Sequence, residues 1–247
     1  FFDINCKKFG LKPDAAVLVT TIKALKYHGG VEKENIQKEN IEAIKNGLHN
    51  LYKHIDNIKN KFGLNVIVAL NKYYTDTKEE IDFLTQKLKE KQIEISIVEG
   101  WEKGGEGAID IANKIVELAN KNSNLNYMYE LEDDIKTKIL KVSTKIYGAK
   151  NVIYSKEAEE QIEKINLFGY SNLPICIAKT QYSFSDDPKN LECKNDYSIN
   201  VKSVELKAGA GFIVVIAGKI MTMPGLPKVP AAENIDIDKD GNIIGLF

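Results

Sequence analysis

The hydrophobic positions of this chain alternate between short continuous runs and longer runs with helical spacing. Residues 15–20, 66–70 and 93–98 are short apolar runs that are typical of strands buried on both faces. Residues 39–61 carry an apolar side chain at every third or fourth position, which predicts a long amphipathic helix. Because strands and helices alternate, we expect βαβ crossovers and a mainly parallel, Rossmann-like sheet of the α/β class.

The remaining pattern continues this alternation and then becomes rich in strands. Thr77 and Glu80 have the spacing of a capping box and predict the start of a helix. Further helices are predicted over residues 104–121, 131–147 and 155–166, and strands over 173–178, 197–206 and 212–217. Residues 236–244 predict a hairpin with its turn at Asp240-Gly241. We therefore expect a β-rich carboxy-terminal part.

Composition narrows the class of protein. Apolar residues make up 43% and charged residues 28% of the 247 residues, which is ordinary for a globular protein. The formal net charge of −1 predicts no general attraction to nucleic acid or to a membrane. Cys6, Cys176 and Cys193 are widely spaced, which favours a reducing cytoplasm over a disulfide framework. No apolar run approaches the roughly 20 residues needed to span a bilayer.

Three predicted strands are followed by loops that carry polar and aromatic side chains. These loops cover residues 71–77, 99–107 and 179–187. In an open α/β sheet the carboxyl ends of parallel strands lie at one edge, where ligands bind. We therefore expect Tyr73, Tyr74 and Trp101 to meet in one crevice. The alternative is that Tyr73 and Trp101 anchor their loops by packing on the core.

Several segments, in order, resemble the carboxy-terminal portion of the formate–tetrahydrofolate ligase family. The most specific are residues 172–188 (NLPICIAKTQYSFSDDP) and 221–233 (MTMPGLPKVPAAE). Others are FFDI, LKYHGG, NKYYTDT, WEKGGEG and the ending GNIIGLF. The phosphate-binding loop G-x-x-x-x-G-K-[ST] of that family occurs nowhere here. We therefore expect a fragment or the second half of a split enzyme, with a missing amino-terminal half as its partner.

The resemblance implies a folate site. Tyr73 and Trp101 match the aromatic pair between which the family stacks the tetrahydrofolate ring. Lys72 is a candidate partner for the folate glutamate carboxylate or for nucleotide phosphates, although a solvated lysine is equally consistent with its position. Asp76, Glu102 and Glu106 are candidate carboxylates for the N–H edge of the pterin, and the sequence does not choose among them.

Two backbone features complete the expected site. Gly104 and Gly105 precede the third predicted helix, where free N–H groups favour an anion or a heteroatom. Pro224, Gly225, Leu226 and Pro227 lie in a proline-rich, stiff segment that is either a rigid wall of the nucleotide site or a structural strap. His28 is expected to cap a helix, and His49 and His54 to lie on a helix surface.

The resemblance implies an ATP-dependent ligase that joins formate to tetrahydrofolate through formyl phosphate, giving 10-formyltetrahydrofolate. ATP with Mg²⁺, the monovalent cation that the family's enzymes often use, and a homo-oligomer (a tetramer in the family) are implied with it. Because the phosphate loop is missing, we expect these residues alone to be inactive. Two alternatives remain: a folate- or nucleotide-binding module, and an assembly subunit without activity of its own.

The predicted domain division follows from the same reasoning. Residues 1–62 are expected to close the nucleotide-binding domain, and residues 63–247 to form a folate-binding α/β domain. If so, Ile44, Leu51 and Ile58 on the long helix should be exposed, forming an apolar patch.

Overall fold

The computed structural model describes residues 1–191, 196–220, 228–241 and 243–245. The strands are β1 (Ala15–Thr20), β2 (Asn65–Asn71), β3 (Ile95–Val98), β4 (Asn151–Tyr154), β5 (Ile175–Ala178), β6 (Ser198–Lys207), β7 (Phe212–Ala217), β8 (Asp236–Ile237) and β9 (Ile243–Ile244). The main helices are α1 (Ile22–His28), α2 (Ile41–Asp56), α3 (Lys78–Glu90), α4 (Ile109–Ala119), α5 (Ile135–Val142) and α6 (Lys156–Leu167). Short helical turns cover Phe2–Cys6, Lys7–Phe9, Lys33–Asn35, Asn57–Lys61, Gly100–Lys103, Gly104–Ala108, Ser143–Tyr147 and Ala231–Glu233.

The first sheet is parallel and has the order β1-β2-β3. Helices α1 and α2 connect β1 to β2, and α3 connects β2 to β3. The apolar sides of α1, α2 and α3 form one core with Val68 and Leu70 of β2. Helix α4 packs on all three strands, and Ser96 of β3 donates a hydrogen bond to its Asp110. The α/β class predicted from the alternating pattern is therefore confirmed.

The second sheet is mixed and has the order β4-β6-β7-β5. Strands β4 and β6 are parallel, as are β5 and β7, whereas β6 and β7 form an antiparallel pair. Its core brings α5 and α6 against the sheet through apolar side chains such as Ile139, Ile162 and Val215. Strands β8 and β9 form a separate antiparallel pair, and Gly241 has a φ of 83° in the connecting turn. The β-rich carboxy-terminal part was thus also predicted correctly.

Strand pairing bears on the predicted division at residue 62. Every residue of β1 is in register with β2, from Ala15 opposite Asn65 to Thr20 opposite Leu70. A boundary at residue 62 would therefore run between two paired strands, and the pairing gives the division 1–62 and 63–247 no support. The polar segment 122–126 also contacts the chain at this position, because the Asn126 N–H donates a hydrogen bond to the carbonyl of Phe62.

The expected apolar patch on the long helix is wrong. Ile44 and Leu51 are 0% and 4% exposed, and Ile58 is half-buried. The reason is that α2 lies against its own sheet, where its apolar side packs with Val68 and Leu70. The sequence pattern identified an amphipathic helix correctly but could not say which surface it covers.

Helices α1 and α2 approach each other so closely that glycine is required on both. A Cβ atom on Gly29 would lie 1.9 Å from the carbonyl oxygen of Ala43, and one on Gly47 would lie 2.0 Å from that of Leu25. Both contacts are with backbone atoms, which cannot move aside as a flexible side chain can. The two glycines therefore set the distance between the helices.

A buried ion pair joins α1 to α3. Lys26 Nζ lies 2.9 Å from Glu80 Oε1, and the two side chains are 1% and 0% exposed. Lys26 Nζ also donates to the carbonyl of Lys38, and Glu80 Oε1 accepts from the Asn40 N–H. Glu80 forms the predicted capping box with Thr77 as well. The pair thus fastens α1, the segment before α2 and the start of α3 to one another.

Replacing one member of this pair should be strongly destabilising. Glu80→Gln leaves the Lys26 ammonium buried without its counter-charge, and we expect a loss of about 3–5 kcal/mol in the free energy of unfolding. Denaturant unfolding followed by circular dichroism measures this loss. The double variant Lys26→Met/Glu80→Gln should recover part of it, because no charge then remains buried.

The matched control is Glu90→Gln, which removes a solvent-exposed pair with Lys87 on the same helix. Exposed pairs contribute little, so this variant should unfold like the unmodified chain. Equal losses in Glu80→Gln and Glu90→Gln would contradict the role assigned to the buried pair.

Candidate functional site

Two neighbouring strand ends form one wall of a cavity of about 310 Å³. Strand β2 ends at Asn71 and β3 at Val98, and the Lys72 N–H donates to the Val98 carbonyl at 3.0 Å. The cavity is lined by Lys23, Asn71, Lys72, Tyr73, Tyr74 and Trp101. The structure therefore brings together four residues singled out from the sequence: Lys72, Tyr73, Tyr74 and Trp101.

The aromatic rings of this cavity are available to a ligand. Tyr73 is 41% exposed and Trp101 is 87% exposed, so neither ring is an anchor buried in the core. Lys23 Nζ lies 4.4 Å from the centroid of the Tyr73 ring, a distance typical of a cation–π contact. Lys23 comes from the first turn of α1, directly after β1. The sequence could have indicated Lys23 as well, because it follows the carboxyl end of β1 just as Lys72 and Trp101 follow the ends of β2 and β3.

Asp76 builds the turn that presents Tyr73. Its Oδ2 accepts a hydrogen bond from the Tyr73 N–H at 2.9 Å, and its own N–H donates to the Tyr73 carbonyl at 3.0 Å. The residue is only 9% exposed, and its Oδ1 is buried without a hydrogen-bond partner. Burial raises the pKa of this carboxyl. One oxygen of Asp76 therefore holds the turn, and the other is buried with no hydrogen-bond partner among the described residues.

Asp76 lines a second cavity that adjoins the first through Lys72. This cavity has a volume of about 450 Å³. Ile81 and Ile97 contribute apolar surface to it, and Glu99 lies at its wall. The aromatic rings and the buried carboxylate thus belong to adjoining cavities that share Lys72.

Lys72 is held by a carboxylate that the sequence reasoning missed. Glu99 Oε1 lies 2.6 Å from Lys72 Nζ, and Glu99 Oε2 lies 2.6 Å from Lys103 Nζ. These two hydrogen-bonded lysines, Lys103 first, lower the pKa of Glu99 to about 2. Lys72 is therefore not the free solvated lysine that was one interpretation of its position. Glu99 and Lys103 stand four residues apart, a spacing that could have signalled the pair.

The whole chain matches one protein family. A model of that family, described as formate–tetrahydrofolate ligase, covers residues 1–247. The chain belongs to the formate–tetrahydrofolate ligase family. The resemblance found in the separate sequence segments is therefore confirmed over the full length. The family acts on formate, tetrahydrofolate and ATP in one-carbon metabolism.

The glycine-rich segment of this ligase differs from its prediction. The predicted helix over 104–121 begins only at Ile109, and Gly104–Ala108 form a 3₁₀ turn. Gly104 has a φ of 58° and follows the short helical turn that carries Trp101. The α-helix therefore begins five residues later than predicted, and Gly104 and Gly105 lie in the 3₁₀ turn that leads directly into it. Gly104, Gly105, Glu102 and Glu106 are exposed and lie outside the lining of the Tyr73 cavity.

Two other predicted segments do not join this cavity. The loop over residues 179–187 follows β5, which belongs to the second sheet, so it does not share the edge formed by β2 and β3. Pro224, Gly225, Leu226 and Pro227 lie outside the described residues, and the nucleotide wall assigned to them stays a prediction.

The described part of this ligase offers no metal-ligand set. Within those residues no three His, Cys, Asp or Glu side chains group as a metal site would require. The carboxylates beside the aromatic rings are used in other ways: Glu99 pairs with lysines and Asp76 closes a turn. No helix of the described residues has the length and apolar character needed to cross a membrane.

The double pairing of Glu99 predicts an unusually acidic carboxyl. In the unmodified chain its side-chain ¹³C signal should titrate at a pH of about 2, because both lysines favour the charged form. In Lys103→Met one partner is lost, so the pKa should rise. Lys89→Met, an exposed lysine on α3, should leave it unchanged. A Glu99 signal that titrates near the ordinary 4.5 in the unmodified chain would contradict the pairing.

Proposed function

We propose that this chain supplies the tetrahydrofolate site of a formate–tetrahydrofolate ligase, with the pterin held by Tyr73 and Trp101. The observation that carries the proposal is the pair of exposed aromatic rings on the wall of one cavity at neighbouring strand ends. A planar heterocycle gains from stacking on such rings, each stacked pair contributing about 0.5–1.5 kcal/mol beyond area burial. Family membership supplies the substrate class.

Among the candidate carboxylates, the geometry favours Asp76 for the N–H edge of the pterin. Its Oδ1 is buried and unpaired, and a buried acceptor gains most from an incoming donor. Glu102 and Glu106 are both exposed and would exchange a bond to water for a bond to the ligand. Asp76 also sits in the turn that carries Tyr73, so ring stacking and edge recognition would be fixed by the same backbone.

Two lysines could receive the anionic glutamate tail of the folate. Lys72 is tied to Glu99, whereas Lys23 rests on the face of the Tyr73 ring. We propose that Lys23 meets the glutamate carboxylate and that Lys72 maintains the shape of the wall. An ion pair between Lys23 and a carboxylate is favourable at a partly enclosed surface, although it weakens with salt.

In the proposed reaction formate and ATP first give formyl phosphate. The N10 amine of tetrahydrofolate then attacks the formyl carbon, a carbon–nitrogen bond forms, the bond to the phosphate oxygen breaks and the amine loses its proton. The contribution of the residues described here is to orient N10 by holding the pterin, and positioning of this kind accounts for a large share of many enzymatic rates. We keep residues 224–227 as the proposed nucleotide wall.

Truncating the indole should weaken binding of the folate. Trp101→Ala is expected to cost about 1–3 kcal/mol of tetrahydrofolate affinity, the usual range for loss of a large aromatic contact. Calorimetric titration of tetrahydrofolate into both proteins measures the difference. The matched control is Phe168→Ala, which removes another exposed ring at the end of α6. Equal affinities of Trp101→Ala and the unmodified chain would remove Trp101 from the site.

A polypeptide of these 247 residues should not by itself form 10-formyltetrahydrofolate. Its sequence contains no G-x-x-x-x-G-K-[ST] loop to cradle the transferring phosphate and neutralise its charge. The test is a product assay with formate, ATP and tetrahydrofolate on a highly purified chain whose intact mass has been verified. Product formed at the rate of a complete ligase would defeat this proposal while leaving the folate site to be judged by the Trp101 titration.

An assembly role is supported by one further observation. Val17 and Val19 on the outer strand β1 are exposed, as are Ile109 and Val116 on α4, which packs on the same sheet. Exposed apolar surface of this kind is typical of an interaction site. We propose that it contacts the amino-terminal half of the ligase or another copy in a homo-oligomer. The free thiols of Cys6 and Cys176 are consistent with a reducing, cytoplasmic setting.

A further inference from the structure

A third cavity lies between the first sheet's helices and the loop that follows β5. It has a volume of about 280 Å³ and is open to solvent on one side. His28 comes from the end of α1, His54 from α2, Tyr147 from the turn before β4, and Lys179 and Thr180 from the β5 loop. Residues that are far apart in sequence therefore build a single wall.

The charge of this cavity has one sign. None of the described residues that line the cavity is acidic. The ammonium of Lys179 therefore carries the formal positive charge of the wall. Asp186 is the carboxylate that acts on Lys179, but it accepts two hydrogen bonds from Asn200 at 2.9 Å.

The Lys179 ammonium is held in place without being neutralised. Its Nζ donates to the backbone carbonyls of Thr180, Ser183 and Ser185 and lies 4.7 Å from the centroid of the Tyr147 ring. Carbonyl and aromatic groups stabilise a cation but carry no full negative charge. Burial lowers the pKa of Lys179 to about 8. An anion in the cavity would supply the missing counter-charge.

Two imidazoles complete the wall. Nδ1 of His28 is buried and has no hydrogen-bond partner among the described residues. It does not cap α1 as expected, because the N–H groups of Gly29 and Gly30 bond the last carbonyls. The ring of His54, a residue exposed to solvent, lies 4.5 Å from that of Phe184. Partial burial lowers the pKa of His28. An imidazole kept neutral in this way can still donate one N–H to an anion, or take up a proton with it.

We propose that this cavity binds a small oxyanion, a phosphate or a carboxylate group, between His28, His54 and Lys179. The site is separate from the proposed folate cavity: His28 and Lys23 stand five residues apart on α1, roughly 7.5 Å along the helix axis. The inference does not depend on the folate assignment, because the two cavities share no lining residue.

The three histidines of the chain provide the test. His28 and His54 line the cavity, and His49 lies outside its lining and is exposed on α2, so it serves as an internal reference. The imidazole Cε1–Hε1 signals are followed by NMR while inorganic phosphate, sodium formate or sodium chloride is added at equal ionic strength. We expect saturable shifts of the His28 and His54 signals, with a Kd of about 1 mM or tighter, and a His49 signal that changes only as it does with chloride.

The two anions show whether the cavity binds a phosphate group, a carboxylate group or both. Saturation by phosphate alone assigns the cavity to a phosphate group, saturation by formate alone assigns it to a carboxylate, and saturation by both supports the shared oxyanion chemistry. Absence of saturation with both anions would overturn the proposal. Equal shifts of all three histidine signals would also overturn the proposal. The same holds if sodium chloride produces the same shifts.

Variants test the named groups. Lys179→Met should weaken anion binding by about tenfold, the loss that corresponds to one hydrogen-bonded or nearby charge. Since Lys179 also holds loop carbonyls, His28→Gln is a second variant that keeps this loop intact, and it should weaken binding as well. Lys45→Met, which removes an exposed lysine of α2, is the matched control and should bind as the unmodified chain does. Unchanged affinity in folded Lys179→Met and His28→Gln would refute the assignment.

Discussion

The first half of this molecule depends on the buried ion pair between Lys26 and Glu80. Charges without exposure are stable only when paired and fully hydrogen-bonded, and here the pair is supported by the carbonyl of Lys38 and the N–H of Asn40. Since Glu80 also caps α3 behind Thr77, the same carboxylate fixes where the helix after β2 begins. The turn that carries Tyr73 and Asp76 is thereby connected to α1, the helix that carries Lys23 and His28.

That connection explains why two cavities of different chemistry lie at the two ends of α1. At its start, Lys23 reaches the aromatic wall formed by the ends of β2 and β3. At its end, His28 faces the loop after β5, which belongs to the second sheet. The close approach of α1 and α2 at Gly29 and Gly47 leaves α1 little freedom to shift. A ligand at either end would therefore contact a rigid element.

The two sites hold their lysine ammonium groups differently. At the aromatic wall Glu99 pairs with both Lys72 and Lys103, and the exposed rings offer the main contact surface. In the cavity of His28 the ammonium of Lys179 is held by backbone carbonyls instead. A flat heterocycle suits the first environment and a compact anion the second.

The sequence by itself determined the α/β class, the capping box and the amphipathic character of α2, because these depend on local periodicity. It also placed Tyr73 and Trp101 at strand ends, because parallel strands direct their carboxyl ends to one edge of the sheet. Only the tertiary structure decided which surface α2 covers, that β1 pairs with β2, that Glu99 holds Lys72 and that the β5 loop faces His28 rather than Tyr73. These features depend on which segments meet after the chain has folded. Spacing along the chain carries no information about a partner that lies many residues away.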